Sequence, residues 1–233
     1  MNVLVIDVGG TNVKILATGQ KERRAFPSGP TLTAEQMIVE VKELAADWIY
    51  DVVSIGYPGP VHLGKPSVEP KNLAAGWVGL DYHAAFGCPV KILNDASMQA
   101  LGGYQGGKML YLGLGTGLGS ALVVHGIVEP MELAHLPYKK GTFEDYVGLR
   151  GLNKRGKKKW RESVFDVVAR LAAALQTDDV LLGGGNVKKL KEMPPGCRAG
   201  NNGDAFLGGF RLWEEATDPK AGAAMQGLVE ARG

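Results

Sequence analysis

The sequence predicts an α/β fold in two similar lobes with a cleft between them. Three observations carry that prediction. Short apolar, β-branched runs alternate with stretches of helical spacing, the pattern of sheets packed on helices. A strand, a glycine turn carrying threonine and a second strand occur at 2–17 and again at 109–124, which reads as an internal repeat. The 34 glycines among 233 residues are about twice the usual share of roughly 7%. They gather at the ends of those runs, where backbone turns tightly or approaches a ligand.

The elements follow in chain order. Residues 2–7 form a buried strand that ends at Asp7 and the turn Gly9-Gly10, and residues 13–17 form its partner. A third strand is expected over 23–26. Thr33, with Gln36 three residues on, is a helix start, and that helix runs to about residue 46. The strand 52–57 is stopped by Pro58-Gly59-Pro60, and the strand 89–93 runs into Asn94-Asp95 and a helix from 96. The pattern then restarts with strand 109–114, turn Gly115-Thr116-Gly117 and strand 120–124. A basic, mostly polar stretch covers 153–161. A helix over 161–175 places Val164, Val167, Val168, Leu171 and Leu175 at helical spacing. Residues 180–182 are a short strand ended by Gly183-Gly184-Gly185. A last helix over 204–215 carries Phe206, Phe210 and Trp213 on one face, and an Ala- and Gly-rich tail follows. On this reading the small lobe is 1–106, completed by the C-terminal helix 203–233, and the large lobe is 107–202.

Composition excludes several classes. Hydrophobic residues at 45% and charged residues at 21% are ordinary for a globular chain rather than a disordered one. The net charge of +2 does not by itself call for nucleic acid. Cys88 and Cys197 have no partners at metal-ligand spacing, so no zinc site is expected. No apolar run approaches the roughly 18 residues of a membrane span. No basic segment followed by an apolar run opens the chain, so the cytoplasm is the expected compartment.

Six constellations could carry chemistry. In the first turn, Gly9 and Gly10 allow backbone N–H groups to face an anion, joined by Thr11, Asn12 and Lys14; Asp7 at the strand end could hold Mg²⁺ through water. A plain β-hairpin is the competing use of such a turn, and the surrounding Asp, Thr and Lys tip the reading toward phosphate. Gly115, Thr116 and Gly117 repeat the arrangement, so two glycine hairpins could clamp a phosphate chain. Asp95 follows a strand's C-terminal end, where α/β ligands gather. It serves either as a helix N-cap or as a base for an attacking hydroxyl, and the residues alone leave both uses open. Glu132, His135 and Glu144 suit vicinal sugar hydroxyls, but taken alone they read as surface charge with a structural histidine. Gly184 and Gly185 could let an adenine lie on bare backbone, or simply turn a strand into a helix. Lys154, Arg155, Lys157, Lys158, Lys159 and Arg161 read first as solvated surface, and second as a path for a polyanion.

Taken together and in order, these motifs resemble the ROK family of sugar kinases and repressors, whose fold is the two-lobed actin/hexokinase-like (ribonuclease H-like) architecture with a central cleft. Asp7 to Lys14 is similar to the first phosphate motif, and residues 112–122 to the second. Gly56-Tyr57-Pro58-Gly59-Pro60-Val61 and Asn72, five residues before Trp77, resemble sugar-side segments. Asn94-Asp95-Ala96 resembles the catalytic motif with Asp95 as base. Glu132-x-x-His135 resembles the Glu-x-Gly-His sugar motif with Ala134 in place of glycine, and 183–185 the adenosine segment. The cysteine-rich zinc motif of many members is absent, and the spacing from His135 to Glu144 is short, which resembles the polyphosphate glucokinase-like branch.

The resemblance implies a kinase that moves a phosphoryl group from polyphosphate or ATP, with Mg²⁺ and no zinc, to the 6-hydroxyl of glucose. The sugar side would be Gly59, Asn72, Asn94, Asp95, Glu132, His135 and Glu144. The polyphosphate path would use Lys157, Lys158 and Lys159. The family also implies a homodimer. No helix-turn-helix precedes the first strand, so DNA is not an expected partner, and neither is a membrane. Two other functions stay open. One is a kinase for a different sugar, such as an N-acetylhexosamine or fructose. The other is a sugar-sensing regulator of the same fold without turnover.

Overall fold

The computed structural model describes residues 1–201 and 203–214. The chain divides into two compact units, Met1–Met98 with the segment that begins at Ala205, and Gln99–Asp204. The chain passes between the units within two helices, at 98/99 and at 204/205.

The first unit is built on a five-stranded sheet. Strands β1 (Val3–Val8), β2 (Asn12–Ala17) and β3 (Arg24–Pro27) form an antiparallel meander. Helix α1 (Ala34–Leu44) follows, then β4 (Val52–Tyr57), the short pair β5 (Val61–His62) and β6 (Lys65–Pro66), α2 (Tyr82–Phe86), and β7 (Val90–Asn94). β4 joins β1, and β7 joins β4, both in parallel. Helix α3 (Asp95–Gly103) leaves the end of β7. The expected capping box at Thr33 is formed: Thr33 accepts from Gln36 N–H and Gln36 returns the bond to Thr33 N–H. Such a cap stabilises a helix by about 1 kcal/mol.

β1 and β4 are mostly apolar and buried nearly throughout because both faces are covered. One face packs on Met37, Ile38 and Val41 of α1 and on Trp77. The other face, through Val3, Val5 and Val52, packs on Met98 and Phe206.

The second unit repeats the same plan. β8 (Lys108–Leu114), β9 (Leu118–Val124) and β10 (Ile127–Met131) are an antiparallel meander. The small pair β11 (Pro137–Tyr138) and β12 (Gly141–Thr142) leads into α4 (Phe143–Val147) and α5 (Leu149–Leu175). β13 (Asp179–Gly183) adds parallel to β8, and β14 (Cys197–Ala199) parallel to β13. The strand orders β3-β2-β1-β4-β7 and β10-β9-β8-β13-β14 are therefore the same order twice, which is the physical form of the repeat in the sequence.

α6 (Asp204–Arg211) ends the described chain. It is tied to the first unit's sheet where Ser54 Oγ donates to Gly209 O at 2.6 Å and Trp213 Nε1 donates to Ser54 Oγ at 2.9 Å. Phe206, Phe210 and Trp213 lie on one packed face, as their spacing predicts. The rest of the expected C-terminal segment, 215–233, and the tail within it lie outside the described residues.

One expectation is corrected. The helix placed at 161–175 begins at Leu149, so the basic stretch 153–161 is helical. Leu152 and Trp160 are its buried anchors, and Trp160 Nε1 donates to Val147 O at 2.7 Å. Gly156, at φ 75° and ψ 163°, interrupts the helix and resets the phase of its apolar face. That break, together with a run of lysines, hides the periodicity in the sequence. No described helix is long and apolar enough to cross a membrane.

Candidate active site

In the first unit, strand register brings the candidate residues together. Asp7 is paired with Lys14 across the hairpin and with Gly56 on β4, and Tyr57 is paired with Asn94 on β7. Asp7, Tyr57 and Asn94 thus cluster at the C-terminal ends of three adjacent parallel strands, where open α/β sheets bind ligands. Gly9 N–H donates to Asn12 O at 3.0 Å, and a Cβ on Gly9 would lie 2.9 Å from that oxygen, so the turn is too tight for a side chain there. Gly10, Thr11 and Asn12 are exposed at the tip. Lys14 Nζ sits 3.5 Å from Asp7 Oδ2, so the lysine expected to meet phosphate also faces the carboxylate expected to meet Mg²⁺.

Asp95 shares the start of α3 with its neighbour Asn94. Asn94 Oδ1 accepts from Ala96 N–H at 2.9 Å and Ser97 N–H at 3.3 Å, the bonds of an N-cap residue. Asn94 Nδ2 donates to Gly59 O at 3.2 Å, which joins the cap to the Pro58-Gly59-Pro60 turn. Asp95 is then the first residue inside α3, and Oδ1 meets Ala96 N–H at 2.7 Å. Burial pushes the Asp95 carboxyl up to about 6, and the charge of Asp7 pushes it the same way against the opposing Ala96 N–H. A carboxylate poised there accepts a proton near neutrality better than an ordinary one.

Asn72 is exposed and lies against the first turn: a Cβ on Gly10 would be 3.5 Å from Asn72 Cβ and 3.7 Å from Nδ2. Gly59 lies against the ring of Tyr57, whose hydroxyl donates to Val68 O at 2.8 Å.

In the second unit, the turn between β8 and β9 is the centre. Gly115 N–H donates to Gly113 O at 3.1 Å and Gly117 O at 3.2 Å. Thr116 O accepts from Leu149 N–H at 3.1 Å, which docks the turn on the start of α5. Glu144, in the first turn of α4, brings Oε2 within 3.4 Å of Leu118 N–H; a Cβ on Gly117 would lie 2.5 Å from the same oxygen. Glu144 N–H donates to Ala134 O at 3.0 Å, so this residue ties the phosphate-like turn to the 132–135 segment. Glu132 and His135 stand 3.8 Å apart with 67% and 70% of their side chains exposed, too open to be held by the fold alone.

Gly184 and Gly185 differ sharply. Gly184 has φ +85°, and a Cβ on it would lie 2.6 Å from the carbonyl carbon and oxygen of Leu114; around Gly185 there is open space. Asn186 is buried and bridges the two segments: Nδ2 donates to Gly115 O at 2.9 Å, and Oδ1 accepts from Lys189 Nζ at 2.7 Å.

The basic stretch is divided. Arg150, Asn153 and Lys154 line an open groove of about 650 Å³ together with Thr116 and Leu149. Lys158 and Arg161 line a second groove of about 620 Å³ with Glu162, Phe165, Lys191 and Glu192. Lys157 and Lys159 are exposed, and Arg155 stacks over the Tyr146 ring at 4.1 Å.

Arg150 is the residue that the sequence does not single out, and Asn186, which closes the Gly183-Gly184-Gly185-Asn186 segment, takes a bridging role that the segment alone does not show. Thr142 and Asp145, which form a capping box for α4, could have shown that helices start before 149 and that Arg150 and Lys154 share one face. Nothing in the sequence marks Asn186 beyond its place after three glycines. Among the described residues no group of three or more His, Cys, Asp or Glu could hold a metal ion.

The ROK family model matches residues 3–129, more than half of the chain. The chain belongs to the ROK family. A bifunctional enzyme NanE/NanK from Brucella melitensis is 32% identical over 142 residues, which is 53% of this chain and 27% of that relative, so the ROK chain spans about a quarter of that protein's length. A polyphosphate glucokinase from Mycobacterium tuberculosis is 28% identical over 222 residues, 82% of this chain and 80% of that one. The inorganic polyphosphate/ATP-glucomannokinase from Arthrobacter sp. strain KM superposes with a TM-score of 0.74 at 23% identity, covering 89% of this chain and 96% of its own. That likeness establishes the actin/hexokinase-like fold of this ROK protein.

Proposed function

We propose that this chain is a glucokinase-like sugar kinase that moves a phosphoryl group from polyphosphate or ATP to a hexose, at the 6-hydroxyl of glucose. The observation that carries the reading is the division of labour at the start of α3. Asn94 caps the helix, which leaves the Asp95 carboxyl, held near 6, to take the proton of the attacking hydroxyl. Gly59, Asn72 and Asn94 supply sugar contacts on the same unit, and Glu132, His135 and Glu144 supply the others. Gly10, Thr11, Asn12 and Lys14 of the first turn, and Thr116 and Gly117 of the second, hold phosphate oxygens through backbone N–H groups, hydroxyls and one ammonium, while Gly9 and Gly115, whose N–H groups bond within their own turns, shape the two turns.

Asp7 fits a hydrated Mg²⁺. Such an ion keeps most of its waters and takes one or two carboxylates besides the substrate's phosphates, and Lys14 approaches only Oδ2 of Asp7, at 3.5 Å. When bound, the ion would neutralise charge on the donor's phosphates.

The reading is tested by a coupled assay with glucose, Mg²⁺ and each donor in turn. Turnover with at least one donor supports it; sugar binding by calorimetry without any transfer would instead support a sensor. A panel of hexoses, including an N-acetylhexosamine and fructose, decides the acceptor.

The groove beside Thr116 supports a polyanionic donor, because two cations on one helix face extend the phosphate-like turn. Arg150→Gln with Lys154→Gln is expected to raise the KM for polyphosphate about tenfold and to flatten its salt dependence. Lys157→Gln with Lys159→Gln, on exposed positions outside that groove, is expected to change it less than twofold. Steady-state kinetics at two salt concentrations check both.

The open backbone at Gly185 supports a place for adenine. Gly185→Ala adds a methyl where the fold has room, and is expected to raise the KM for ATP by roughly 10-fold or more, the lower end of the scale of one methyl in a fitted site, while polyphosphate kinetics stay unchanged. Equal effects on both donors would remove the adenosine role.

A further inference from the structure

The loop that carries Asn72 is closed by a side chain that has no assigned role. Glu69 Oε2 accepts from Trp77 N–H at 3.1 Å, and Oε1 accepts from Val78 N–H at 3.2 Å. Both carboxylate oxygens are therefore spent on the backbone at the far end of the loop. Burial works against the charge on Glu69, yet the N–H groups of Trp77, Val78 and Gly76 outweigh it and hold the carboxyl below the ordinary glutamate range. The anion is the form the loop binds. The loop's other ties are Tyr57 Oη to Val68 O at 2.8 Å, Tyr82 Oη to Trp77 O at 2.9 Å, and Ala74 N–H to Leu32 O at 3.1 Å. Trp77 is fully buried against Tyr57, at 5.8 Å between ring centroids. Between these anchored ends, Lys71 and Asn72 are exposed. Asn72 lies against Gly10 of the first phosphate-like turn.

We infer that Glu69 is a positioning residue for the acceptor sugar: its carboxylate closes the 69–78 loop into a ring and so holds Asn72 beside the Gly9-Gly10 turn. The inference rests on the sugar-kinase reading above. A compact loop tied end to end presents its middle residues in one place, and that pre-ordering lowers the entropy lost when substrate binds. Buried Trp77 and Leu73 hold the loop on the core, but neither fixes the backbone of its far end as two N–H bonds to one anion do.

The experiment is a double-mutant cycle on Glu69 and Asn72, read as the sugar KM, kcat and donor KM, with trypsin cleavage after Lys71 as an activity-independent readout. Glu69→Ala is expected to raise the sugar KM about tenfold, to leave kcat within about threefold and donor KM unchanged, and to speed cleavage at Lys71. Asn72→Ala is expected to raise the same KM, and the double variant to be no worse than the worse single one. Glu69→Gln keeps the shape but offers one acceptor where two are used, so its KM is expected between wild type and Glu69→Ala; it also serves if the alanine variant does not fold. Multiplying effects on KM, or an unchanged sugar KM despite faster cleavage, would overturn the positioning role and leave the kinase reading intact. A wild-type protein that phosphorylates no hexose would bring down the kinase reading itself, and this role with it.

Discussion

Replacing Asp95 with asparagine is expected to reduce phosphoryl transfer about a thousandfold and, at neutral pH, to raise the melting temperature. The loss follows from removing a base placed at the hydroxyl, an effect of roughly 10²- to 10⁴-fold. The gain in stability follows from the same burial that tunes the base. In the unfolded chain Asp95 loses its proton near 4, and in the fold only at about 6. Between those values the folded state binds more protons than the unfolded one, so stability falls as pH rises through the window and the full penalty stands above it. A displacement of about two pH units corresponds to roughly 3 kcal/mol, or on the order of 5–10 °C for a chain of this size. Asparagine keeps the oxygen that accepts from Ala96 N–H and carries no charge. Thermal melts of both proteins at pH 4 and pH 7.5 check the sign: the variant should gain little at the lower pH and the whole difference at the higher. For the active protein, kcat/KM should climb through pH 6 and then level. An Asp95→Asn variant with near-full activity would end the role of Asp95 as base.

Gly184→Ala is expected to damage stability and the use of both donors, whereas its neighbour Gly185→Ala is expected to affect ATP alone. At Gly184 the backbone is left-handed, and a Cβ would lie 2.6 Å from the backbone carbonyl of Leu114. That obstacle is main chain at the end of β8, the central strand of its sheet, and cannot rotate away as a side chain could. Overpacking of this kind costs about 1–3 kcal/mol, and an alanine held left-handed adds roughly 1–2 more. The melting temperature should fall by about 4–20 °C. Leu114 precedes the Gly115 turn, and Asn186 binds both Leu114 O and Gly115 O. Pushing Leu114 away therefore moves the turn that is proposed to hold donor phosphates. A displacement near 1 Å can cost about 100-fold in rate. Melts and donor kinetics of the two alanine variants side by side decide it; equal melting temperatures would mean that the loop relaxes more easily than its geometry implies.

The legible parts of the site are those that local chemistry dictates. The hairpin from Asp7 to Lys14 could be read because a strand must stop where two glycines and a threonine follow it, and register then sets Lys14 opposite Asp7. Its copy at 115–117 could be read for the same reason. The helix start at Asn94-Asp95 was legible as a location but not as a role, because either residue can cap a helix. Only the structure shows that Asn94 accepts from both Ala96 and Ser97 N–H while Asp95 shares just the Ala96 N–H through Oδ1. Helix 149–160 was not legible, since Gly156 breaks its period and its anchors, Leu152 and Trp160, are too few to show a stripe.

The sequence by itself determined the α/β class, the duplicated strand plan and the family, and it marked the turns and the helix start from which the candidate site is proposed. These depend on patterns within a dozen residues, where periodicity, capping and glycine turns act directly. The tertiary structure alone decided which of those residues are held and by what: Glu144 against Gly117, Asn186 between two glycine loops, Glu69 across its own loop, and Arg150 with Lys154 beside Thr116. Each of these is a contact between segments far apart in sequence or across an irregular loop. Their free energies come from burial and from hydrogen bonds that exist only once the sheets have formed, and no local pattern encodes them.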